Sequence, residues 1–173
     1  MGYLSVMIYV LRILHILSGA FWYGSLVFIM RFLMPSIRAA GAAGGPVMAQ
    51  LNQRKLSLAM MGAAIVNVGA GIWLMFIVSG GSPGPWMRTG MGRTFALGGS
   101  FAIVALLVGM TVVAPVTRRM GTLAATIGRR GAPPTPEEIA EMERLQQRNA
   151  VGTAIIAVLL TLAVVAMAVA RYV

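Results

Sequence analysis

Four stretches of this chain stay apolar far longer than one buried face of a soluble helix requires. The charge-free runs extend from Ile13 to Met30, Leu56 to Val78, Thr94 to Thr117 and Asn149 to Ala170. About 20 residues rising about 1.5 Å each cross the hydrocarbon of a bilayer. The pattern therefore predicts transmembrane helices over 4–33, 56–78, 94–117 and 149–171, within a single transmembrane domain spanning 1–173. The expected fold class is all-α, an integral membrane four-helix bundle.

The connections differ in kind. "SGGSPGPWMRTGMG", between the second and third spans, is rich in Gly and Pro and reads as irregular, with Trp86 suited to an aromatic belt at the membrane surface. After the breaker run "RRGAPP", the string "TPEEIAEMERLQQRN" opens with Thr135 as N-cap and Pro136 at the first helical position. Glu137 and Glu138 then stand at the positive end of the dipole. A helix over 136–148 is predicted, running on into the fourth span.

The pattern also repeats. "LSGAF" at 17–21 echoes "LGGSF" at 97–101, and at the same offset of 80 Met30 matches Met110, Pro35 matches Pro115 and Arg38 matches Arg118. Farther on, "MAQLNQR" at 48–54 echoes "MERLQQR" at 142–148 at an offset of 94, which locates an insertion of 14 residues in the third connection. Two duplicated helical hairpins are expected, related by a pseudo-two-fold axis along the membrane normal. His15 then aligns with Phe95 and Trp22 with Ala102, so the polar and aromatic set belongs to the first hairpin alone.

Composition agrees with the pattern, because 58% of the 173 residues are hydrophobic and 10% charged, too few polar groups for a water-facing surface. The net charge of +10 raises nucleic acid as a partner, but the basic residues flank the spans and form no stripe interleaved with aromatics, so none is expected. Arg31, Arg38, Arg54, Lys55, Arg118, Arg119, Arg129, Arg130, Arg144 and Arg148 fall on the side shared by the first and third connections. Arg88, Arg93 and Arg171 fall opposite, with Arg12 near the start of the first span. This bias predicts both termini outside the cytoplasm of a bacterial inner membrane, with cytoplasmic helical extensions including 136–148. No cleaved signal peptide is expected, since the first apolar run is long and no A-x-A site follows it. The absence of cysteine excludes disulfides, thiolate metal sites and covalent haem attachment.

Candidate chemistry concentrates in the first span, which holds the only histidine. On a helix Arg12, His15, Gly19, Trp22 and Leu26 share one face. Gly19 leaves a notch there, suited either to close approach of another helix or to a flat cofactor beside the imidazole. Counted from Arg12, His15 lies about 5 Å inside the outer boundary, within reach of interfacial water. If the helix starts near Tyr3, both are deeper and need partners within the bundle. Trp22 and Tyr23 lie near mid-span and call for hydrogen-bond partners, which Asn67 and Thr161 can supply. Most of the 14 methionines should be packing, but Met75 and Met167, then Met87 and Met91, have the depth to face a metal held by His15. No intramembrane carboxylate, second histidine or Ser-His-Asp set is present, so the residues leave an enzymatic role undecided and assign no catalytic group.

"LRILHILSGAFWYGSLVFIMRFLMP" resembles the opening helix of the small four-helix membrane family that contains copper-resistance D-type proteins and J-type protoporphyrinogen oxidases. The shared pattern is a histidine, a tryptophan seven positions later, a glycine two further on and a basic-flanked exit. "QRKLSLAMMGAAIVNVGAGIWLM" resembles the family's second span in its basic entry and its glycine near the exit. The resemblance covers about the first half of the chain; the later lysine and histidines of the oxidases have no counterpart here. It implies a haem-ligand role for His15.

Two readings of function follow. One is a protein binding a single b-type haem, with His15 as axial ligand, Gly19 and Trp22 shaping the pocket, and Arg12, Arg88 or Arg93 neutralising propionates, in an electron-transfer or haem-related role. The other is a cofactor-free accessory or scaffold subunit of a larger membrane complex. Copper handling is a third, weakened by the lack of an ordered soft-ligand path. The lipid bilayer is the expected partner, with further copies of the chain, a larger complex and a redox partner left open.

Overall fold

The computed structural model describes residues 2–173, apart from the side chains at positions 42 and 52. Four helices are long and apolar enough to cross a membrane: Tyr3–Ala39, Leu56–Val78, Gly90–Arg130 and Pro136–Tyr172. Large apolar side chains, among them Ile16, Leu17, Leu58 and Val158, cover the outside. A surface of that kind is solvated by lipid, and the chain is an integral membrane helical bundle. The first helix packs along the second and the third along the fourth, and the two hairpins join through second–third and first–fourth contacts.

The centre is built from one large ring and many small side chains. Trp22, only 6% exposed, shares the core with Ala64 of the second helix, Ala102 and Ala105 of the third and Ala163 of the fourth. Leu26, Ile156 and Leu160 complete it. Small residues matter because lipid gives helices no hydrophobic reason to associate, so close backbone approach and van der Waals contact must hold them. Gly98 serves this at the third–fourth interface, where an added Cβ would lie 3.2 Å from the Ala163 carbonyl oxygen, the Ala166 methyl and Met167 Cγ.

Both long helices that open a hairpin are interrupted in the same way. Tyr3–Phe28 passes into a π-helical turn, Ile29–Leu33, before α-helix resumes at Met34–Ala39. Gly90–Val108 passes into Gly109–Val113 and resumes at Ala114–Arg130. The two turns lie 80 residues apart, the offset of the sequence repeat, and each stands before a proline in the first turn of the resumed helix, Pro35 or Pro115. A proline ring inside a helix collides with the carbonyl four residues back and offers no N–H. One extra residue in the turn accommodates it: the Met34 and Ala114 N–H groups reach back five residues, to the Ile29 and Gly109 carbonyls.

The extensions follow their sequence signals. The fourth helix begins at Pro136 under a capping box, Thr135 Oγ1 accepting from the Glu138 N–H and the Glu138 carboxylate accepting from the Thr135 N–H. It runs into the membrane without a break. The first connection, whose "MAQLNQR" echoes the helical "MERLQQR", folds a short helix, Gly44–Gln53, before Lys55 turns the chain with a positive φ of 56°. The second connection is more ordered than its Gly/Pro content predicts: Pro83–Trp86 forms a helical turn, and the third helix starts at Gly90 rather than at 94. Thr89 causes the early start by accepting the Gly92 N–H, and Trp86 stacks on Phe95 with ring centroids 6.1 Å apart.

Candidate functional site

His15 and Asn67 clamp the first hairpin together. The imidazole Nδ1 lies 2.8 Å from the Asn67 backbone carbonyl oxygen, and the Asn67 side-chain amide donates to the His15 carbonyl oxygen at 2.7 Å. Each side chain therefore bonds to the other helix's main chain. Two glycines make this possible. A Cβ on Gly19 would come within 2.5 Å of the Asn67 amide nitrogen, and one on Gly71 within 2.9 Å of His15 Cε1. His15 and Gly19 are four residues apart, as are Asn67 and Gly71, so in an antiparallel pair each polar side chain enters the other helix's notch.

The clamp also fixes depth and tautomer. Asn67 is the central residue of Leu56–Val78 and is 7% exposed, about 16 Å from either end of that helix at 1.5 Å per residue. The first helix begins at Tyr3, so of the two registers the sequence allows, the deeper one holds. A carbonyl oxygen only accepts, so in the neutral ring Nδ1 carries the proton and Nε2 keeps its lone pair. His15 is half-buried, at the edge of the helix pair.

Neighbouring candidates distribute differently from their spacing. Asn67 serves His15, not Trp22 or Tyr23. Thr161 does serve Tyr23: its hydroxyl donates to the Ala157 carbonyl oxygen, so the Tyr23 phenol donates to Thr161 Oγ1 at 2.9 Å and ties the first helix to the fourth. Trp22 is packed in the core. Gly19's notch takes the Asn67 amide, which leaves no room there for a flat group. Met75 follows Gly71 by one turn on the stripe facing the first helix, whereas Met167 is engaged with Gly98 at the other interface.

Arg12, Arg88 and Arg93 are exposed. No aspartate or glutamate occurs before Glu137, so the chain has no side-chain carboxylate at that end to pair with them. Arg12 lies one turn beyond His15 on the same ridge, about 5 Å nearer the helix start. Both ion pairs among the described residues, Arg119–Glu141 at 2.8 Å and Arg130–Glu138 at 2.6 Å, are at the opposite, arginine-rich end.

Comparison of the chain with protein-family models, with curated proteins and with solved structures finds no match. Among the described residues no three His, Asp or Glu side chains gather as a metal site. The donor chemistry at His15 is nevertheless of a kind that would hold a haem through its imidazole. A metal-ligating histidine characteristically donates its other ring N–H to a carbonyl or carboxylate, which fixes tautomer and orientation. His15 has that support from a main-chain carbonyl.

Proposed function

We propose that the protein binds one b-type haem within the membrane through His15 Nε2 and serves electron transfer or haem handling. The observation that carries the reading is the Nδ1–H bond to the Asn67 carbonyl, which leaves Nε2 as an oriented donor at mid-bundle depth. Arg12, without an internal carboxylate, supplies a counter-charge for a propionate, with Arg88 and Arg93 available farther out. Bound haem would supply one-electron exchange. The chain's own part is to hold the ring, fix which nitrogen carries the proton and present the other. Gly19's notch is filled and Met167 is engaged at the third–fourth interface, so His15 would hold the group, with Met75, one turn from Gly71, the methionine still available as a second donor.

A second reading, a cofactor-free accessory subunit, is supported by that same filled notch, since the clamp alone accounts for His15, Gly19, Asn67 and Gly71 as packing. The orientation proposed with either reading puts the arginine-rich end in the cytoplasm of a bacterial inner membrane and both termini outside.

An absorption spectrum of protein purified in mild detergent from haem-replete cells decides between them. The first reading expects a haem spectrum that His15→Ala abolishes or converts to a weak, exchangeable form. Haem-free wild-type protein, with His15→Ala equally well folded, refutes it and leaves the accessory role.

A further inference from the structure

The arginine-rich end holds a cleft that the His15 reading does not use. It has a volume of about 250 Å³ and lies between the extension of the third helix and the start of the fourth, lined by Arg119, Glu141, Arg144, Leu145 and Arg148. Leu145, 3% exposed, is its apolar floor. Arg119 is held across it by the ion pair to Glu141, while Arg144 and Arg148 form no ion pair among the described residues. Three guanidinium groups against one carboxylate leave the cleft an excess of two positive charges.

The cleft stands where headgroups would be. Arg148 is the last charged residue before the uncharged run 149–170, and at the next position Asn149 Oδ1 accepts a hydrogen bond from Thr117 that joins the two helices. From Arg144 and Arg148 one ridge of the fourth helix continues through Val151, Ile155, Val158, Leu162, Val165 and Val169 at alternating spacings of three and four. All six are exposed. A cationic cleft and an apolar ridge on one helix face match a molecule with an anionic head and long hydrocarbon tails.

We propose that this cleft and ridge form a binding site for an anionic phospholipid, the phosphodiester held by Arg119, Arg144 and Arg148 and an acyl chain lying along Val151 to Leu162. Basic pockets between membrane helices hold such headgroups by charge-assisted hydrogen bonds. Free phosphate shares the head chemistry but gains nothing from the ridge. The first hairpin lacks the site: the repeat aligns Arg119 with Ala39, Arg144 with Gln50 and Arg148 with Arg54, while Leu145 keeps its leucine at Leu51.

Native mass spectrometry of the full chain, released from detergent after equilibration with phosphatidylglycerol or phosphatidylcholine of identical acyl chains, tests this. The wild type should retain phosphatidylglycerol in preference, and Arg119→Ala with Arg144→Gln should lower that retention by about fivefold per arginine removed. Arg129→Gln, at the far tip of the same extension, should leave it unchanged. Millimolar inorganic phosphate should not displace the lipid. Equal retention of the two lipids, an unaffected double variant, an equal loss in Arg129→Gln, or displacement by phosphate alone each overturns the proposal. Circular dichroism of the variants separates loss of the site from loss of fold.

Discussion

The reciprocal clamp separates two things that an alanine scan alone would confuse. His15 bonds to the backbone carbonyl of position 67, so its Nδ1 contact survives any side chain placed there. Asn67→Ala should therefore keep the Nδ1 bond to the carbonyl and remove the amide's bond to the His15 carbonyl with its longer 3.4 Å contact to Nδ1, costing about 1 kcal/mol in mixed-micelle unfolding, because hydrogen bonds between membrane helices are worth little more. Gly71→Ala differs, since its methyl meets the imidazole at 2.9 Å. It should cost about 1–3 kcal/mol by overpacking and turn the ring off the carbonyl. An imidazole ¹⁵N spectrum checks this: the Nδ1–H signature should persist in Asn67→Ala and change in Gly71→Ala, and identical spectra would contradict the geometry. The sequence marks His15, Gly19, Trp22, Tyr23, Asn67 and Thr161 as candidates for contacts between helices, and all six make them. Their pairing was not legible, because it depends on antiparallel register. The signal is a polar residue followed four positions later by glycine in both helices of the hairpin, but Thr94–Gly98, Thr117–Gly121 and Arg148–Gly152 show the same spacing, so it identifies no pair without the register.

At the scale of elements, charge-free length located all four spans, and the Thr-Pro-Glu-Glu string located the start of the fourth helix. The π-helical turns were less legible. Pro35 and Pro115 signal an interruption inside a long apolar run, but whether a helix ends, kinks or widens there depends on what it packs against afterwards. The turn between the third and fourth helices allows a pH prediction. The Glu138 carboxyl is held below the ordinary carboxylate range, first by the hydrogen bonds from Arg130 at 2.8 and 2.6 Å and then by the Thr135 N–H at 2.8 Å. A carboxyl depressed on folding stabilises the folded form fully above its unfolded pKa of about 4, and that contribution is lost as pH falls through the lower folded value. The cap should therefore fray only in strong acid. Amide chemical shifts of Glu138 and Ile139 should be constant from neutral pH to about 4 and move below it, and Glu138→Gln should leave only the smaller change that the neighbouring Glu137 carboxyl, also held low, contributes.

For the whole molecule, duplication was readable as an offset of 80, and the two π-helical turns keep that offset in three dimensions. Its asymmetry has a packing reason: Trp22 and Ala102, equivalent in the repeat, belong to one core, where a large and a small residue together fill space that two tryptophans would overfill. Direction across the membrane rests on a different kind of information. Leaving Arg12 aside, ten of the flanking basic residues lie at one end and three at the other, and Lys/Arg close to the spans sets orientation in short-looped proteins. Arg12 is the residue able to oppose this, because it belongs to the first helix to insert. The proposed orientation predicts that a reporter active only in the cytoplasm is inactive when fused after Val173 and active when inserted at Gly131, between the third and fourth helices. Arg12→Ala should preserve or sharpen that pattern, since it removes a charge from the minority end. Removing Arg118, Arg119, Arg129 and Arg130 together should blur it, as the ten-to-three bias falls to six-to-three. Activity after Val173 in the unaltered chain would reverse the assignment, place the clefted end with its phospholipid site in the outer leaflet, and bring Arg12 and His15 into the cytoplasmic half of the bilayer.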